Sequence, residues 1–354
     1  MTGQAGAGLL PMPKLKIHGQ RLVCATALHP FAAHRMKKHT VSVLLALALC
    51  ALPAAAQTVS FGLIGDMPYS AWERKNLPLL IAQMDGEDLA FVTHNGDIKG
   101  GGTVCSDAVF EDVLGVFQAS HTPLIYVPGD NEWTDCHRRS NGRYDPQERL
   151  EKLRTLFFQG NNALGQRPLQ LTRQSDDPAF ARYRENVRWE AGGALFVGLN
   201  LPGSDNNFDG TTPHSGPVPE FVQRSAANRA WLAQAFATAR HKNSAGLLVV
   251  VQANPQFDEA NAGRPTPGYR DFLDQLREET QAFAGPVVLV HGDTHWHQIN
   301  QPMLDPTTRR VVKNFTRVET FGYPFFGWIK ATVDASDPQV FRFEARPWRS
   351  SAPR

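Results

Sequence analysis

Four apolar segments of the chain each run directly into a Gly-Asp pair. The pairs end at Asp66, Asp97, Asp130 and Asp293. The carboxyl ends of parallel strands meet at one edge of an open α/β sheet, and glycine there permits a sharp turn and a close backbone approach. A single Gly-Asp after a strand is an ordinary turn signal. Four of them together predict that four carboxylates converge at one edge of the sheet.

Converging carboxylates repel one another and raise one another's pKa unless a cation holds them. His295 lies two residues after the last of these aspartates, in the run HGDTHWH that begins at His291. Carboxylate oxygens combined with an imidazole nitrogen suit manganese, iron or zinc better than magnesium. The pattern therefore predicts a divalent metal site. Its predicted ligands are Asp66, Asp97, Asp130, Asp293 and His295.

Apolar strands and helical patterns alternate along the chain between the Gly-Asp pairs. VSFGLI, LAFVTH and PLIYV are typical of strands. Helices are predicted around residues 77–84, 106–117, 146–158, 220–240 and 269–283. This alternation predicts an α/β fold with a largely parallel sheet. After His297, the segments VVKNFTRV, WIKATVDA and VFRFEAR predict antiparallel strands.

The first 56 residues differ in composition from the rest of the chain. Residues 1–35 are interpreted as an upstream extension from a start site assigned too early. A basic start at Met36, the apolar run 41–52 and small residues up to Ala56 are typical of a secretory signal peptide over 36–56. The apolar run is shorter than the roughly 20 residues of a membrane-spanning helix, so we expect no stable membrane anchor, with an uncleaved anchor as the alternative. The protein is therefore predicted to be periplasmic or secreted.

The rest of the chain is predicted to be one domain over 57–346 followed by a tail, 347–354, because no linker or repeat divides it. The first 56 residues contain six of the 36 Lys and Arg and none of the 34 acidic residues. The remainder thus has 30 basic against 34 acidic residues, a net charge of −4. This balance predicts no nucleic-acid-binding patch. The sequence does not indicate an oligomeric state.

Only two of the four cysteines, Cys105 and Cys136, lie beyond the first 56 residues. Two cysteines in an oxidising compartment favour one disulfide. Two buried free thiols are the alternative. A disulfide would join the loop after Asp97 to the loop after Asp130.

The order and strand-end placement of these motifs resemble the calcineurin-like metallophosphoesterase superfamily. The blocks of that superfamily are Asp-x-His, Gly-Asp, Gly-Asn-His-Glu, a lone His and Gly-His-x-His. The resemblance implies a double β-sandwich, in which two mixed sheets are flanked by helices in four αββα layers. It also implies two metals bridged by Asp97, and a metal-bound hydroxide that attacks the phosphorus of a phosphate ester.

The resemblance also implies roles for individual residues. Asp66 takes the position of the first-block ligand, and Asp130 takes that of the block asparagine. Asn131 stands in the position of the catalytic histidine, and Asp293 and His295 fill the last block.

Four further predictions concern catalysis and substrate binding. Asn131 and His291 are the predicted catalytic residues. Lys99 and Arg138 are predicted to bind the phosphate of the substrate, because ammonium, guanidinium and backbone amide groups suit phosphate. A solvated turn and an exposed charge run are the respective alternatives for this last pair.

The chain departs from the superfamily pattern at several positions. Pro68 replaces the first-block histidine, and Asn131 replaces the general-acid histidine. Gln252 and Asn254 stand where the lone histidine is expected, and Asp293 puts oxygen in place of nitrogen. Two hypotheses follow. The first is an exported metal-dependent phosphoesterase that acts on a small phosphorylated substrate; the second is a secreted metal- or phosphate-binding protein with the same fold and reduced catalysis.

Overall fold

The strands of the protein bury both of their faces because successive side chains point to opposite sides of a sheet. In the computed structural model, which describes residues 58–211 and 216–348, Leu247 and Val249 pack against helices. Leu248 and Val250 of the same strand pack between the two sheets instead. An uninterrupted apolar strand of this kind needs cover on both sides, and the fold provides it.

Twelve strands lie in the described part of the chain. They are β1 (Val59–Ile64), β2 (Val92–His94), β3 (Leu124–Tyr126), β4 (Thr172–Arg173), β5 (Val187–Ala191), β6 (Ala194–Gly198), β7 (Leu247–Val250), β8 (Val287–His291), β9 (Gln298–Asn300), β10 (Phe315–Glu319), β11 (Gly327–Val333) and β12 (Phe341–Pro347). One sheet has five strands in the order β12-β11-β1-β2-β3, and the other has seven in the order β4-β5-β6-β7-β8-β10-β9. The strands β1, β2 and β3 are mutually parallel, and so are β6, β7, β8 and β10.

The longer helices begin where side chains can cap them. The helices are α1 (Ala71–Asp85), α2 (Asp107–Ala119), α3 (Pro146–Phe157), α4 (Pro219–His241), α5 (Phe257–Asn261) and α6 (Arg270–Gln281), with short 3-10 turns at Thr134–His137, Arg139–Asn141, Gln174–Asp176 and Pro178–Phe180. The side chains of Ser70, Ser106 and Asp145 each accept a hydrogen bond from the first turn of α1, α2 and α3, respectively. A side-chain acceptor at this position satisfies a backbone N–H that the helix itself leaves unpaired.

Three apolar cores separate four layers. The first joins α1, α2 and α3 to the five-stranded sheet, with Phe110 and Leu153 among its members. The second lies between the two sheets and contains Phe61 and Phe196. The third joins α4 and α6 to the seven-stranded sheet and includes Trp231. The predicted α/β class, with two mixed sheets flanked by helices in αββα order, is confirmed.

One topological expectation is wrong. The segment after His297 was expected to contribute only antiparallel strands, yet β10 runs parallel to β8, with Phe315 opposite Val287. The strand β9 pairs antiparallel to β10 on its other side. A local apolar pattern identifies a strand but does not identify its partner, so the direction of pairing depends on the rest of the sheet.

The predicted extension and signal peptide, 1–35 and 36–56, lie outside the described residues. Across 58–211 and 216–348, none of the helices combines the length and apolar character that crossing a membrane requires.

Candidate functional site

The ends of parallel strands from both sheets meet at one edge of the molecule. The five-stranded sheet contributes Asp66, Asp97 and Asp130 after β1, β2 and β3, and the seven-stranded sheet contributes Asp293 after β8. The backbone N–H of Asp293 donates a hydrogen bond of 3.0 Å to Asp66 Oδ1, which links the two sheets directly. At the end of β7, Gln252 Nε2 donates to Asp130 Oδ1 at 3.0 Å. The four Gly-Asp ends therefore lie together.

The repeated Gly-Asp pair has a physical cause in the geometry of these turns. Asp66, Asp97 and Asp293 have left-handed backbones, with φ of 51°, 58° and 75°, a region that aspartate tolerates better than most residues. Glycines come close to these carboxylates: a Cβ on Gly129 would lie 2.2 Å from Asp97 Oδ1, and one on Gly292 would lie 2.0 Å from Asp66 Oδ2. Glycine thus makes the room that the buried carboxylates need.

Protein donors occupy both oxygens of Asp97. The backbone N–H of Asn131 donates to Oδ1 at 3.1 Å, and the Asn131 side-chain amide donates to Oδ2 at 2.8 Å. The hydroxyl of Tyr69 also donates to Oδ2, and the same Asn131 amide lies 2.7 Å from that hydroxyl oxygen. Asp97 is therefore held in a closed triangle with Tyr69 and Asn131.

Glu132 holds the loops that carry Asp97 and Asp130. Its side chain is fully buried and accepts the backbone N–H groups of Asp97 (3.1 Å), Ile98 (3.3 Å) and Gly129 (2.6 Å). The hydroxyl of Tyr126 donates to it as well, at 2.8 Å. Burial raises the pKa of Glu132, and the Gly129 N–H acts in the opposite direction. One carboxylate thus fixes the turns after β2 and β3 relative to each other.

Ser204 connects two further carboxylates to Arg138. Its Oγ lies 2.7 Å from Asp130 Oδ2 and 2.8 Å from Asp135 Oδ1, and a single hydroxyl proton can serve only one of them at a time. The guanidinium of Arg138 pairs with Asp135 Oδ2 at 2.6 Å and donates to Ser204 Oγ at 3.3 Å. The Arg138 side chain is half exposed. It therefore places a positive charge at the open edge of the site.

A left-handed turn presents Ser204 to the site. Ser204, Asp205, Asn206 and Asn207 have φ of 49°, 48°, 55° and 56°, and each non-glycine residue in this region costs roughly 1–2 kcal/mol. The fully buried side chain of Arg224 stabilises the turn, because its guanidinium donates to the backbone and side-chain oxygens of Asn206. Consecutive strained residues that persist beside a cluster of charged groups are typical of functional sites.

Gly203 begins this turn in the narrow space between two carboxylates. A Cβ at Gly203 would lie 2.7 Å from Asp293 Oδ1 and 2.9 Å from Asp130 Oδ2. The left-handed turn is therefore packed against carboxylates from both sheets.

Asp66 differs from Asp97 because one of its oxygens has no partner. Oδ1 accepts the N–H of Asp293, whereas Oδ2 is buried without a hydrogen bond among the described residues. His295 Nε2 lies 3.9 Å from Asp66 Oδ1, and its Nδ1 lies 2.7 Å from the carbonyl oxygen of Tyr323. A carbonyl only accepts, so Nδ1 carries the proton and the neutral ring presents its Nε2 lone pair towards Asp66.

The carboxylates of the site share a shifted acidity. Burial raises the pKa of Asp66 well above its usual value, and repulsion from Asp293 adds to the effect. Burial, and then repulsion from Asp130, raises the pKa of Asp97 and brings that of Asp293 to about 8. Asp135 is raised to about 6 for the same two reasons. In the ion-free protein, the negative charges of this cluster thus oppose one another.

The structure places Lys99 inside the protein, so the predicted alternative of a solvated turn is wrong. Its side chain is 2% exposed and donates one hydrogen bond, to the Gly100 carbonyl oxygen at 3.3 Å. Burial lowers the pKa of Lys99, while Glu132 and Asp97 oppose that shift. Its predicted contact with a substrate phosphate stays a prediction.

The two histidines that precede the Gly-Asp turns are buried. His94 Nε2 lies 3.0 Å from the Met67 carbonyl oxygen, and His291 Nδ1 lies 2.9 Å from the Gly292 carbonyl oxygen. Burial lowers the pKa of His94 to about 4 and that of His291 to about 3. The predicted catalytic role of His291 stays a prediction, although the ring has no exposed surface.

The donor chemistry of the site fits a divalent cation, but its donors are not gathered around one point. Over residues 58–211 and 216–348, no three His, Cys, Asp or Glu side chains form a group that could hold a metal ion. The unpartnered Oδ2 of Asp66 and the lone pair of His295 are nevertheless a buried oxygen and a nitrogen of the kind such an ion takes. These residues fit the ion in their chemistry, and the predicted metal ligands stay a prediction.

Sequence reasoning missed three residues that shape the site. Glu132 follows Asn131 directly in GDNEW, so its position was a usable signal. Tyr69 lies three residues after Asp66, but only the turn geometry brings its hydroxyl to Asp97. No motif identifies Ser204, whose contacts with the site depend on the left-handed turn.

The predicted disulfide between Cys105 and Cys136 is present, with a Cα–Cα distance of 5.8 Å. Both sulfur atoms are buried and lie 3.5 and 3.7 Å from the carbonyl oxygen of Asn131. The bond therefore supports the backbone of a residue that donates to Asp97.

Comparison with known proteins finds likeness in structure only. No family model matches the chain, and no curated protein matches it. Among solved structures, PhoD is 12% identical with a TM-score of 0.50, over 80% of this chain and 66% of the other. A dimetal phosphatase from Danio rerio is 14% identical with a TM-score of 0.47, over 82% of this chain and 96% of the other. A purple acid phosphatase from yellow lupin seeds is 16% identical with a TM-score of 0.47, over 83% and 55%.

The likeness to PhoD, at this level of identity, shows a shared fold and nothing finer. Together with the two mixed sheets, it confirms the predicted calcineurin-like fold.

Proposed function

We propose that the protein is an exported phosphoesterase that depends on divalent metal ions and hydrolyses a small phosphorylated substrate. The observation that carries this proposal is the buried oxygen of Asp66, which has no partner at a strand edge shared with three other aspartates. Buried carboxylates without a nearby cation are costly. A divalent ion offsets that cost and is also the usual means of hydrolysing a phosphate ester on this fold.

Asp66, Asp293 and His295 are the residues of this chain that would hold the ion. Bound there, a divalent cation would neutralise the charge of a phosphoryl group and make a water molecule more acidic. Arg138, which is half exposed beside Ser204, would bind a substrate phosphate and fix its orientation. Asn131 would hold Asp97 and Tyr69 in place.

Purified protein should hydrolyse a generic aryl phosphate when Mn²⁺ is added, and EDTA should abolish the reaction. Mn²⁺ should also raise the melting temperature, because a ligand that binds only the folded state stabilises it, by about 2.7 kcal/mol at 100 times Kd. Release of the aryl alcohol and thermal denaturation are the two measurements. A protein that neither melts later with Mn²⁺ nor releases product would contradict the proposal.

A metal- or phosphate-binding protein without turnover is the second candidate function. It is favoured by the burial of His94 and His291, which leaves Asn131 in the position where the resemblance expects a general acid. A rise in melting temperature with Mn²⁺, without hydrolysis of phosphate mono- or diesters, would select this candidate.

Export is part of the proposal and rests on the Met36 leader. The Cys105–Cys136 disulfide is consistent with it, because disulfides persist in oxidising compartments. N-terminal sequencing of protein recovered from the periplasm or medium is expected to begin at Gln57. Mature soluble protein that retains residues 36–56 would contradict the cleavage.

A further inference from the structure

The two halves of the carboxylate cluster are not equivalent. At Asp97, three hydrogen bonds from Tyr69 and Asn131 use both oxygens. At Asp66, one oxygen accepts a single backbone N–H and the other has no partner among the described residues. A carboxylate that already accepts hydrogen bonds at both oxygens gains less from a metal ion than one with an unpartnered, buried oxygen.

Asp130 belongs to the same saturated half. Gln252 Nε2 donates to its Oδ1, and Ser204 lies in hydrogen-bond range of its Oδ2. The other end of the Gln252 amide accepts the N–H of Gly203. Gln252 therefore spends both ends of its amide within the protein, at the position where the resemblance expects a histidine ligand.

Lys99 supplies a positive charge to this half of the site. Its ammonium group is buried, and the charges that act on it are Glu132, Asp97, Asp135 and Asp130, in that order of strength. It makes one hydrogen bond, to a neighbouring carbonyl, and no ion pair within the described residues. A buried ammonium without a paired carboxylate persists only where the surrounding field is negative. The acidic cluster provides that field, and the lysine in turn offsets part of its charge.

The opposite half lacks any such lysine and offers free donors. The lone pair of His295 Nε2 and the carboxylate of Asp66 face each other across 3.9 Å, a separation too long for a hydrogen bond. Two electron-pair donors that face each other repel unless a cation or a proton lies between them. The ring of Tyr69 packs edge-on against His295, with 4.9 Å between ring centroids, and so limits how the imidazole can turn.

We propose that this protein holds one divalent cation, at Asp66, Asp293 and His295, and that Tyr69, Asn131 and Lys99 occupy the place around Asp97 that a second cation would take. This inference rests on the proposed function and narrows it: the ammonium of Lys99 is a built-in charge that replaces one of two metals. Asp97 is then a residue that positions the loop after β2 rather than a bridging ligand.

The test compares two chemically identical changes at equivalent strand ends. Wild-type protein, Asp66→Asn and Asp97→Asn are stripped of metal, and Mn²⁺ binding is measured by titration calorimetry and by elemental analysis after dialysis. We expect one Mn²⁺ per wild-type chain. Asp66→Asn should weaken its binding at least 100-fold, whereas Asp97→Asn should keep one Mn²⁺ with a Kd within about threefold of wild type. Circular dichroism identifies folded variants.

Two Mn²⁺ ions per wild-type chain would overturn the inference and leave the proposed function intact. Loss of all Mn²⁺ from folded Asp97→Asn would also overturn it, because that is the behaviour of a bridging ligand. Wild-type protein that binds no Mn²⁺ and hydrolyses nothing would remove the proposed function itself. If Asp97→Asn does not fold, Lys99→Met is the second variant: it should still bind one Mn²⁺, and loss of that ion from the folded variant would contradict the assignment.

Discussion

Asp66→Asn is expected to lower kcat/KM for an aryl phosphate by about 10³-fold or more, which corresponds to about 4 kcal/mol of transition-state stabilisation. The substitution keeps the shape of the side chain but removes the charge of the buried Oδ2, which has no protein partner. Without that oxygen the proposed cation loses a ligand that the chain does not replace. Steady-state hydrolysis with saturating Mn²⁺ measures the effect.

The same variant should become more stable when no metal is present. Burial raises the pKa of Asp66 above its unfolded value, so the folded state holds the proton more tightly and loses stability as pH rises through the range between the two values. Asparagine carries no charge and avoids this loss. At pH 7 the ion-free variant should therefore melt above the ion-free wild type, and Mn²⁺ should no longer raise its melting temperature.

Asp271→Asn is the matched control, since the carboxylate of Asp271 is mostly exposed on α6 and lies 3.5 Å from Arg270. It should retain wild-type hydrolysis and the response to Mn²⁺. Full hydrolysis by Asp66→Asn would show that the unpartnered oxygen has no part in the reaction.

Removal of the disulfide, as Cys105→Ser with Cys136→Ser, is expected to lower the free energy of unfolding by about 3 to 4 kcal/mol. The two cysteines are 31 residues apart, and closing a loop of that size restricts the unfolded chain by this amount in the chain-entropy model. Urea denaturation at equilibrium is the measurement. Because both sulfur atoms contact the Asn131 carbonyl, hydrolysis should fall at urea concentrations that leave the wild type active.

Wild-type protein reduced with a phosphine is the control for this variant, since it loses the bond but keeps both sulfur atoms. Its urea midpoint should match that of the double variant. Equal midpoints for oxidised and reduced wild type, or two reactive thiols in denatured non-reduced protein, would contradict the expected stabilisation.

The sequence predicted the parts of this molecule that depend on short-range patterns. Gly-Asp after an apolar run marks a strand end because glycine fits the crowded turn and aspartate tolerates its left-handed backbone. The same reasoning placed Asp66, Asp97, Asp130 and Asp293 at strand ends, where the structure has them. The disulfide was predictable because only two cysteines remain beyond the leader.

The contacts that divide the cluster into two unequal halves were not predictable, because they depend on distances across the fold. Nothing next to Tyr69 in the sequence indicates that its hydroxyl reaches Asp97. Lys99, in a glycine-rich segment, has the composition of a solvated turn, yet the loops after β2 and β3 enclose it. The direction of β10 likewise depends on its partner β8, which the sequence pattern does not identify.

The hydrogen bond from Asp293 to Asp66 spans 227 residues of sequence, which has a consequence for the order of folding. Contacts of such long range form slowly, because the entropy of closing the loop is lost before the contact stabilises the chain. The strand β1 must also pair with β11, with Val59 opposite Val333, before its sheet is complete. Asp66 and Asp293 therefore meet late, after both sheets have formed. A cation that binds them should leave the refolding rate unchanged and slow the unfolding rate, so that it prolongs the lifetime of the native state.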